Sequence, residues 1–271
     1  MLRALESSRS TYMALAELAR RYASAGERQS IAEHEPLTRF EHRVFSQNGE
    51  DGVLAELLLR IGIESRWFVE FGAQTGVEGN CVFLAEVLRW SGLLIEAHED
   101  AANELARKYA ANRGVQTARA RVLPENVEQL FAQAGVPREI DVLSIDVDGN
   151  DYWIWQALGS CSPRIVVIEY NAHWPPHARW VQPFDAERTW DGSDNYGASL
   201  GALRSLAEEK GYRLAHTELT GNNAFFVRED LPGTLPAPDA VPLRGPNHFL
   251  AGASHPAHPA PVPRVIDLDA L

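Results

Sequence analysis

Apolar runs separated by amphipathic stretches dominate the middle of the chain. The runs WFVEFGA, LLIEAH, DVLSIDVDG and RIVVIEYN lack a regular polar alternation, and VQTARARVL is a weaker run between the second and the third of these. Strands without polar alternation that are separated by helices indicate a parallel sheet covered on both faces. The pattern therefore predicts an α/β fold.

Helical stretches lie between these strands. One runs from about Glu50 to Ile61 after the cap-like cluster SQNG, the next is NCVFLAEVLRWSG closed by Gly92, and the third is DAANELARKYAANRG capped by Gly114. A short helix is expected around Val127 to Ala134, and ASLGALRSLAEEKGY predicts the last one. YRLAHTEL and NAFFVRE flank the turn LTGNN, which predicts an antiparallel pair of strands.

The two ends of the chain differ from its middle. Residues 3–25 predict a helix that covers the domain or mediates a homodimer, and the residues after Leu231 are dense in proline. Proline cannot continue a helix or a central strand, so this tail either packs along the surface in extended form or is disordered. We expect an N-terminal helical extension over residues 1–44, one main domain over residues 45–230 and a proline-rich tail over residues 231–271.

Charge and composition narrow the possible partners. The formal net charge is −12, so the chain lacks the broad basic surface that nucleic acid or an anionic membrane would require. No apolar run approaches the roughly 20 residues of a membrane span, and the N-terminus lacks the apolar core of a signal peptide. Cys81 and Cys161 have no metal-ligand spacing and are expected to be buried thiols in a reducing cytoplasm.

The stretch FVEFGAQTGVEGN carries the first chemical signal. A strand that runs into a glycine turn and a helix is typical of a nucleotide-type cofactor site. Glu70 stands two residues before Gly72, however, and its carboxylate would repel a phosphate. The turn also lacks the GxGxxG spacing of dinucleotide-binding proteins.

Four motifs in this order resemble one known family. SQNGED, FVEFGAQTG, the acid that ends LLIEAH and SIDVDGNDYW are similar to the FkbM-like group of class I S-adenosylmethionine-dependent methyltransferases, over roughly Phe45 to Arg228. The resemblance implies a Rossmann-like, mostly parallel seven-stranded sheet with a C-terminal antiparallel hairpin. It also implies methylation, mostly O-methylation, of a small molecule such as a sugar, a macrolide-type natural product or a lipid-linked acceptor. S-adenosylmethionine carries a sulfonium and an ammonium but no phosphate, so a carboxylate at the glycine turn attracts it.

The resemblance also implies which residues bind the cofactor. Gly72 and Gly76 let the turn approach the methionine part, Glu70 orients its ammonium, and Glu96 accepts the ribose hydroxyls. The full implied set is Gln47, Glu70, Gly72, Ala73, Gly76, Asn80, Glu96, Ala97 and Asp146. Gln47 and its neighbour Asn48 either reach the cofactor pocket, as the motif implies, or are simple capping residues. His98 either flanks the adenine or is an incidental surface histidine.

Polar residues at the ends of the fourth and fifth strands are the candidates for chemistry. Asp146, Glu169 and Asn171 are expected to face one another at the carboxyl edge of the sheet, where ligands bind in parallel folds. Their oxygen atoms suit Mg²⁺, as in several methyltransferases of this fold, or they bind the cofactor ammonium and the substrate without a metal. Asp146, Glu169 and His173 are the candidate catalytic residues. His173 either removes a proton from the acceptor, which suits an imidazole, or merely packs against tryptophan.

The segment from Trp174 to Tyr196 is too long for an ordinary connection and is interpreted as a lid or an acceptor-binding loop. Trp180 and Trp190 either line an acceptor pocket or pack in the interior, and Asn222 and Asn223 serve the hairpin turn or reach the site.

Other functions remain open from the sequence. An NAD(P)-dependent oxidoreductase would share the fold class, but Glu70 opposes its phosphates. A non-catalytic binding module would be expected to lose the strand-end acids, and a metal-dependent hydrolase would leave the glycine turn unexplained.

Overall fold

The computed structural model describes residues 35–190 and 193–245 of the chain. The predicted helix over residues 3–25 and the tail beyond residue 245 lie outside the described residues. Among the helices of the described part, none is long and apolar enough to cross a bilayer.

Strands and helices alternate through the described part. The strands are β1 (Trp67–Phe71), β2 (Ser91–Glu96), β3 (Val115–Arg119), β4 (Glu139–Ile145), β5 (Ser162–Glu169), β6 (Tyr212–Thr217) and β7 (Asn223–Arg228). The helices are α1 (Glu50–Ile61), α2 (Val82–Glu86), α3 (Glu99–Tyr109), α4 (Val127–Ala134), α5 (Asp151–Ala157) and α6 (Leu200–Glu209). Short 3₁₀ turns cover Leu37–Phe40 and Pro238–Ala240.

The seven strands form one sheet in the order β3-β2-β1-β4-β5-β7-β6. Strands β1 to β5 pair in parallel, and β7 runs antiparallel to both β5 and β6. The α/β class and the Rossmann-like, methyltransferase-type sheet with a C-terminal antiparallel hairpin are therefore confirmed. The chain moves outward from β1 to β3 and then returns to β4 on the other side of β1, which is the switch point where ligands bind in such sheets.

Apolar residues cover both faces of the sheet. Phe68 and Val69 are successive residues of β1 that point to opposite faces, and both are fully buried. They belong to two separate apolar clusters, as do Val142 and Leu143 of β4. The central strands consequently read as continuous apolar runs, as the sequence predicts.

Two predicted helix ends were wrong. Gly92 does not close a helix: α2 already ends at Glu86, and Gly92 lies inside β2, where a Cβ atom would approach the Phe68 ring to 2.4 Å. Gly114 does not cap α3, which ends at Tyr109. Glycine does not mark a helix end at either position. At Gly92 its small size is required by a packing contact across the sheet.

The apolar pattern of the sequence does not predict helix α5 as a separate element. Its run DYWIWQA is rich in aromatic and β-branched residues, which favour strands more than helices. Tertiary packing decides the conformation, since Tyr152, Ile154 and Trp155 are all buried.

The described parts of both chain ends pack on the domain. Leu37 and Phe40 are buried in the same cluster as α1. On the C-terminal side Val241 is 4% exposed, and the Tyr170 hydroxyl donates to the Arg244 carbonyl at 3.2 Å. Residues 231–245 thus follow the surface in largely extended form, and the domain boundaries at 45 and 230 stay predictions.

Candidate functional site

A cavity of about 630 Å³ lies at the carboxyl ends of the five parallel strands. We call it the main cavity, and its volume is in the range of small-molecule sites. The residues that follow each strand contribute to its wall: Gly72, Gln74 and Thr75 after β1, Glu96, Ala97 and His98 at β2, Ala120, Arg121 and Val122 after β3, Asp146, Val147 and Asp148 after β4, and Glu169, Ala172 and His173 at β5. Gln47 lines it from the N-terminal side.

The glycine turn after β1 is held between its two neighbouring strands. Gly72 has φ +70°, and a Cβ atom there would lie 1.9 Å from the Asp146 carbonyl oxygen, so only glycine fits. The Ala73 amide donates to the Ile95 carbonyl at 3.1 Å, which ties the turn to β2. Ala73 is 2% exposed and lies behind the cavity wall.

Gly76 is not among the residues that line the two cavities described here, and its contact with the cofactor stays a prediction. Its position is set by α3, because a Cβ atom would approach Leu105 Cδ1 to 2.6 Å and Tyr109 Cε2 to 2.8 Å. The second glycine of the motif therefore allows a helix to pack closely against the turn.

Glu96 ends β2 with a carboxylate that is fixed in place. Its Oε2 accepts the Gln74 amide at 2.8 Å and its Oε1 accepts the His98 amide at 2.7 Å, while the residue is only 4% exposed. Each carboxylate oxygen can accept a further hydrogen bond. Glu96 therefore offers two oriented acceptors at the wall of the main cavity, as the ribose prediction requires.

A second, smaller cavity of about 40 Å³ adjoins the main cavity, and we call it the inner pocket. The two share wall residues Gln47, Gly72, Gln74 and Asp146. The inner pocket is additionally lined by Glu70, Phe71, Glu78, Gly79, Asn80 and Asn223.

Glu70 lies at the base of the inner pocket. One carboxylate oxygen accepts the Asn80 amide at 2.7 Å and the other accepts the Cys81 amide at 3.2 Å, so the side chain also holds the turn that leads into α2. Burial raises the pKa of Glu70 to about 7 despite these two bonds. The predicted cofactor contact Asn80 lies in the same wall, with its side-chain amide donating to Ser144 Oγ at 3.1 Å.

Three acids meet where β4 and β5 end. Asp146, Asp151 and Glu169 each bring a carboxylate oxygen within 4.8 Å of the others. Burial, followed by the neighbouring acids, raises the pKa of Asp146 and of Glu169 well above the usual range. Glu169 Oε2 is buried and has no hydrogen-bond partner among the described residues. A cation, a proton or a hydrogen-bond donor of a ligand is therefore needed to stabilise these buried acids.

Asp151 is held more firmly than the other two acids. Its two oxygens accept the Val147 and Gly149 amides, both at 2.9 Å, and burial raises its pKa to about 6. It thus stabilises the loop that carries Asp146 and Asp148.

Asn171, the third predicted metal ligand, has its side chain bonded to backbone groups. Its side-chain amide donates to the Asp194 and Tyr196 carbonyls at 2.7 and 2.9 Å, and its Oδ1 accepts the His173 amide at 3.0 Å. Asp151 lies beside the two strand-end acids. Asn171 joins the end of β5 to the segment that crosses it.

His173 lines the main cavity and lies near a carboxylate. Its Nε2 is 3.3 Å from Asp194 Oδ1, within ion-pair distance, although the contact is not aligned as a hydrogen bond. Asp194 is 8% exposed and also lines the cavity. The structure therefore places the predicted base beside a buried acid.

The segment from Trp174 to Tyr196 contributes to the cavity only through its second half. Trp190 and Tyr196 line the main cavity, whereas Trp180 stacks on Trp174 with ring centroids 4.8 Å apart and does not reach it. From the hairpin, Asn222 lines the main cavity and Asn223 lines the inner pocket.

The sequence analysis misses the roles of Asp151 and Asp194 and leaves open whether Asn223 serves the turn or reaches the site. Asp151 carries a weak signal, since it begins a helix in an acidic loop. Asp194 has none, because a long irregular segment brings it to His173. Asn223 belongs to a turn motif, and only the pairing of β7 with β5 sets it opposite Glu169.

Comparisons with known proteins give distant structural likenesses. No protein-family model matches the chain, and no curated protein matches it. The chain is similar to the N-terminal domain of EvdMO1 with SAH bound, at 14% identity over 63% of this chain and 74% of that one, with a TM-score of 0.37. It is also similar to M. jannaschii TYW2 in complex with AdoMet, at 18% identity over 64% and 74% of the two chains, with a TM-score of 0.37. A SAM-dependent methyltransferase from Aquifex aeolicus has 12% identity over 67% and 89%, with a TM-score of 0.38. Values this low do not transfer an activity.

Proposed function

We propose that this protein is an S-adenosylmethionine-dependent methyltransferase that methylates a hydroxyl group of a small molecule. Glu96 carries the proposal. Its carboxylate is largely buried, is oriented by two backbone amides, and lines the main cavity at the end of the strand next to the glycine turn. A vicinal diol such as that of an adenosine ribose matches two such acceptors.

The charge of the surrounding wall favours this cofactor over a dinucleotide. Glu70 and Asp146 line the inner pocket, and Asp146, Asp148 and Glu169 line the main cavity. In their ionised forms, which a bound cation favours, these acids oppose a pyrophosphate and attract a molecule with a sulfonium and an ammonium. The same set opposes the alternative of an NAD(P)-dependent oxidoreductase.

The reaction requires little of the protein beyond positioning and proton removal. S-adenosylmethionine supplies an already activated methyl group. The chain has to bring a hydroxyl oxygen in line behind that methyl, exclude water and accept the hydroxyl proton. His173 is suited to accept this proton because Asp194 lies beside its ring and stabilises the imidazolium form. Trp190 and Tyr196 supply the apolar wall on the acceptor side.

The acid cluster is compatible with a divalent cation. Asp146, Asp151 and Glu169 would hold Mg²⁺, which prefers carboxylate oxygens and keeps several waters. Each of these acids offers one oxygen atom, and the three atoms lie within 4.8 Å of one another. Such an ion would polarise the acceptor hydroxyl. Alternatively, the cofactor ammonium compensates the charge of these acids, and no metal is then required.

Calorimetry tests the proposal directly. S-adenosylmethionine and S-adenosylhomocysteine should bind, with and without Mg²⁺, while NAD⁺ and NADP⁺ should not. Transfer of a labelled methyl group should then be measured over sugars, polyols, macrolides and phenols, each with chelator or with Mg²⁺. Binding of a dinucleotide in place of S-adenosylhomocysteine would refute the proposal. Turnover that chelator abolishes and Mg²⁺ restores would assign the metal to the reaction, and turnover unaffected by chelator would exclude it.

A further inference from the structure

The inner pocket is small and lined by polar groups. Its volume of about 40 Å³ is close to that of one water molecule, or of one ammonium group with its attached carbon. Carboxylates of Glu70, Glu78 and Asp146 and carboxamide side chains of Asn80 and Asn223 surround it. It opens on the main cavity at the glycine turn, where both are lined by Gly72.

Asn223 lines this pocket and carries a buried acceptor that has no partner among the described residues. The residue is 5% exposed, and its Nδ2 donates to Glu50 Oε1 at 2.9 Å. Its Oδ1 is buried and has no hydrogen-bond partner among the described residues. An unpaired buried acceptor costs stability, so its retention suggests a ligand that donates to it.

The orientation of the Asn223 amide is fixed by Glu50. Glu50 is fully buried, and its carboxylate also accepts the Asn48 amide at 2.9 Å and the Asn48 side-chain amide at 3.3 Å. A carboxylate can only accept hydrogen bonds, so it turns the NH₂ end of Asn223 toward itself and leaves Oδ1 as the free end. The SQNGED motif thus orients a residue on β7.

The charge of the pocket selects its occupant. Glu78 is paired with Arg43 at 2.6 Å, so Glu70 and Asp146 are the acids left to compensate. In their ionised forms they repel a carboxylate or a phosphate, and a neutral apolar group would leave Asn223 Oδ1 without a donor. A primary ammonium has three donors and a positive charge. Burial raises the pKa of Glu70 from its ordinary value of 4.5 to about 7, and a neighbouring cation would favour its ionised form.

We propose that Asn223 Oδ1, oriented by Glu50, is a specificity-determining acceptor for the α-ammonium of the cofactor's methionine part, in the pocket where the family resemblance already implies an ammonium beside Glu70. This inference rests on the proposed function. It adds to the glycine turn and Glu70 a contact from the C-terminal hairpin, and it assigns the SQNGED acid Glu50 a positioning role.

The test is a cycle that changes the protein and the ligand in turn. Calorimetry measures the binding of S-adenosylhomocysteine, its α-deamino analogue and its decarboxylated analogue to the parent protein and to Asn223→Leu. A hydrogen bond to a charged group corresponds to roughly tenfold to a hundredfold in affinity. Asn223→Leu should weaken S-adenosylhomocysteine and its decarboxylated analogue by roughly this factor, and should weaken the deamino analogue less than about twofold.

Three controls separate this role from a general effect on the fold. Binding of 5′-methylthioadenosine, which lacks the amino acid part, should be unchanged in Asn223→Leu. Asn103→Leu makes the same chemical change on the exposed surface of α3 and should bind every ligand as the parent does. Glu50→Gln keeps Asn223 and its Oδ1, so discrimination against the deamino analogue should persist at least in part.

Several results would overturn the inference. Equal weakening of S-adenosylhomocysteine and its deamino analogue by Asn223→Leu would mean that the residue does not contact the ammonium. A parent protein that binds both equally would mean that the pocket does not recognise the group at all. If Asn223→Leu fails to fold, Asn223→Ala replaces it in the same comparison, with the same expected and contrary results. Failure of the parent to bind S-adenosylhomocysteine or methylthioadenosine would instead refute the proposed function.

Discussion

Replacement of Glu96 gives the most direct test of cofactor placement. Glu96→Ala removes both acceptors for the ribose and also frees the Gln74 and His98 amides, which it holds at 2.8 and 2.7 Å. Loss of hydrogen bonds to a charged acceptor costs about 1.5 to 3 kcal/mol, which corresponds to roughly tenfold to a hundredfold in affinity. Because the two loops also lose their anchor, we expect the effect on S-adenosylhomocysteine binding to lie at the upper end of this range.

The two contributions can be separated with a modified ligand. The 2′-deoxy analogue of S-adenosylhomocysteine lacks one ribose donor but does not disturb the loops. It should bind the parent about tenfold more weakly than the full ligand and should bind Glu96→Ala almost as well as the full ligand does. Calorimetry measures all four affinities, and thermal unfolding confirms that the variant is folded. Binding of the full ligand to Glu96→Ala within about threefold of the parent would refute the placement of the ribose.

The buried acids predict two dependences on pH. Burial raises the pKa of Glu70 from 4.5 to about 7, so the folded ligand-free protein keeps a proton that the unfolded chain releases. The corresponding stabilisation of the folded protein is complete below pH 4.5 and is lost as the pH rises through about 7. Urea unfolding measured over this pH range should show a smaller loss of stability in Glu70→Gln than in the parent. Asp146→Asn should raise the unfolding temperature of the ligand-free protein at about pH 8 and less at about pH 5, because like-charge repulsion in the acid cluster grows with ionisation. An unchanged or lower unfolding temperature at the higher pH would contradict this.

Much of the fold could be predicted because local and tertiary signals agree. The bounds predicted for α1 and α4 match the structure, since each has an apolar stripe bounded by polar or glycine residues. The strands are long apolar runs with the acids at their ends. Where the signals disagree the sequence misleads: Gly92 resembles a terminator, yet it lies in β2 because the Phe68 ring leaves no room for a side chain.

The candidate site could be predicted only in part, for a physical reason. Asp146 and Glu169 end adjacent parallel strands, so topology alone brings them together. Asp194 reaches His173 through an irregular segment fastened by Asn171, and no periodicity encodes such a contact. Asn171 itself has the residue type and position of a ligand, but the backbone groups that it binds depend on where that segment passes.

The two glycines of the turn provide a last prediction, since they have the same backbone conformation but different neighbours. Gly72 and Gly76 both have φ +70°, so alanine at either position costs about 1 kcal/mol of backbone strain. At Gly72 the new Cβ would lie 1.9 Å from the Asp146 carbonyl, and that backbone cannot move without separating β1 from β4 at the cavity.

At Gly76 the new methyl group would instead meet the ends of the Leu105 and Tyr109 side chains at 2.6 and 2.8 Å. These side chains can shift at the cost of looser packing of α3. We therefore expect Gly72→Ala to abolish S-adenosylhomocysteine binding in calorimetry, and Gly76→Ala to lower the unfolding temperature while leaving affinity within about threefold of the parent. Loss of binding in a stably folded Gly76→Ala protein would show that the second glycine faces the cofactor after all, as the family resemblance implies.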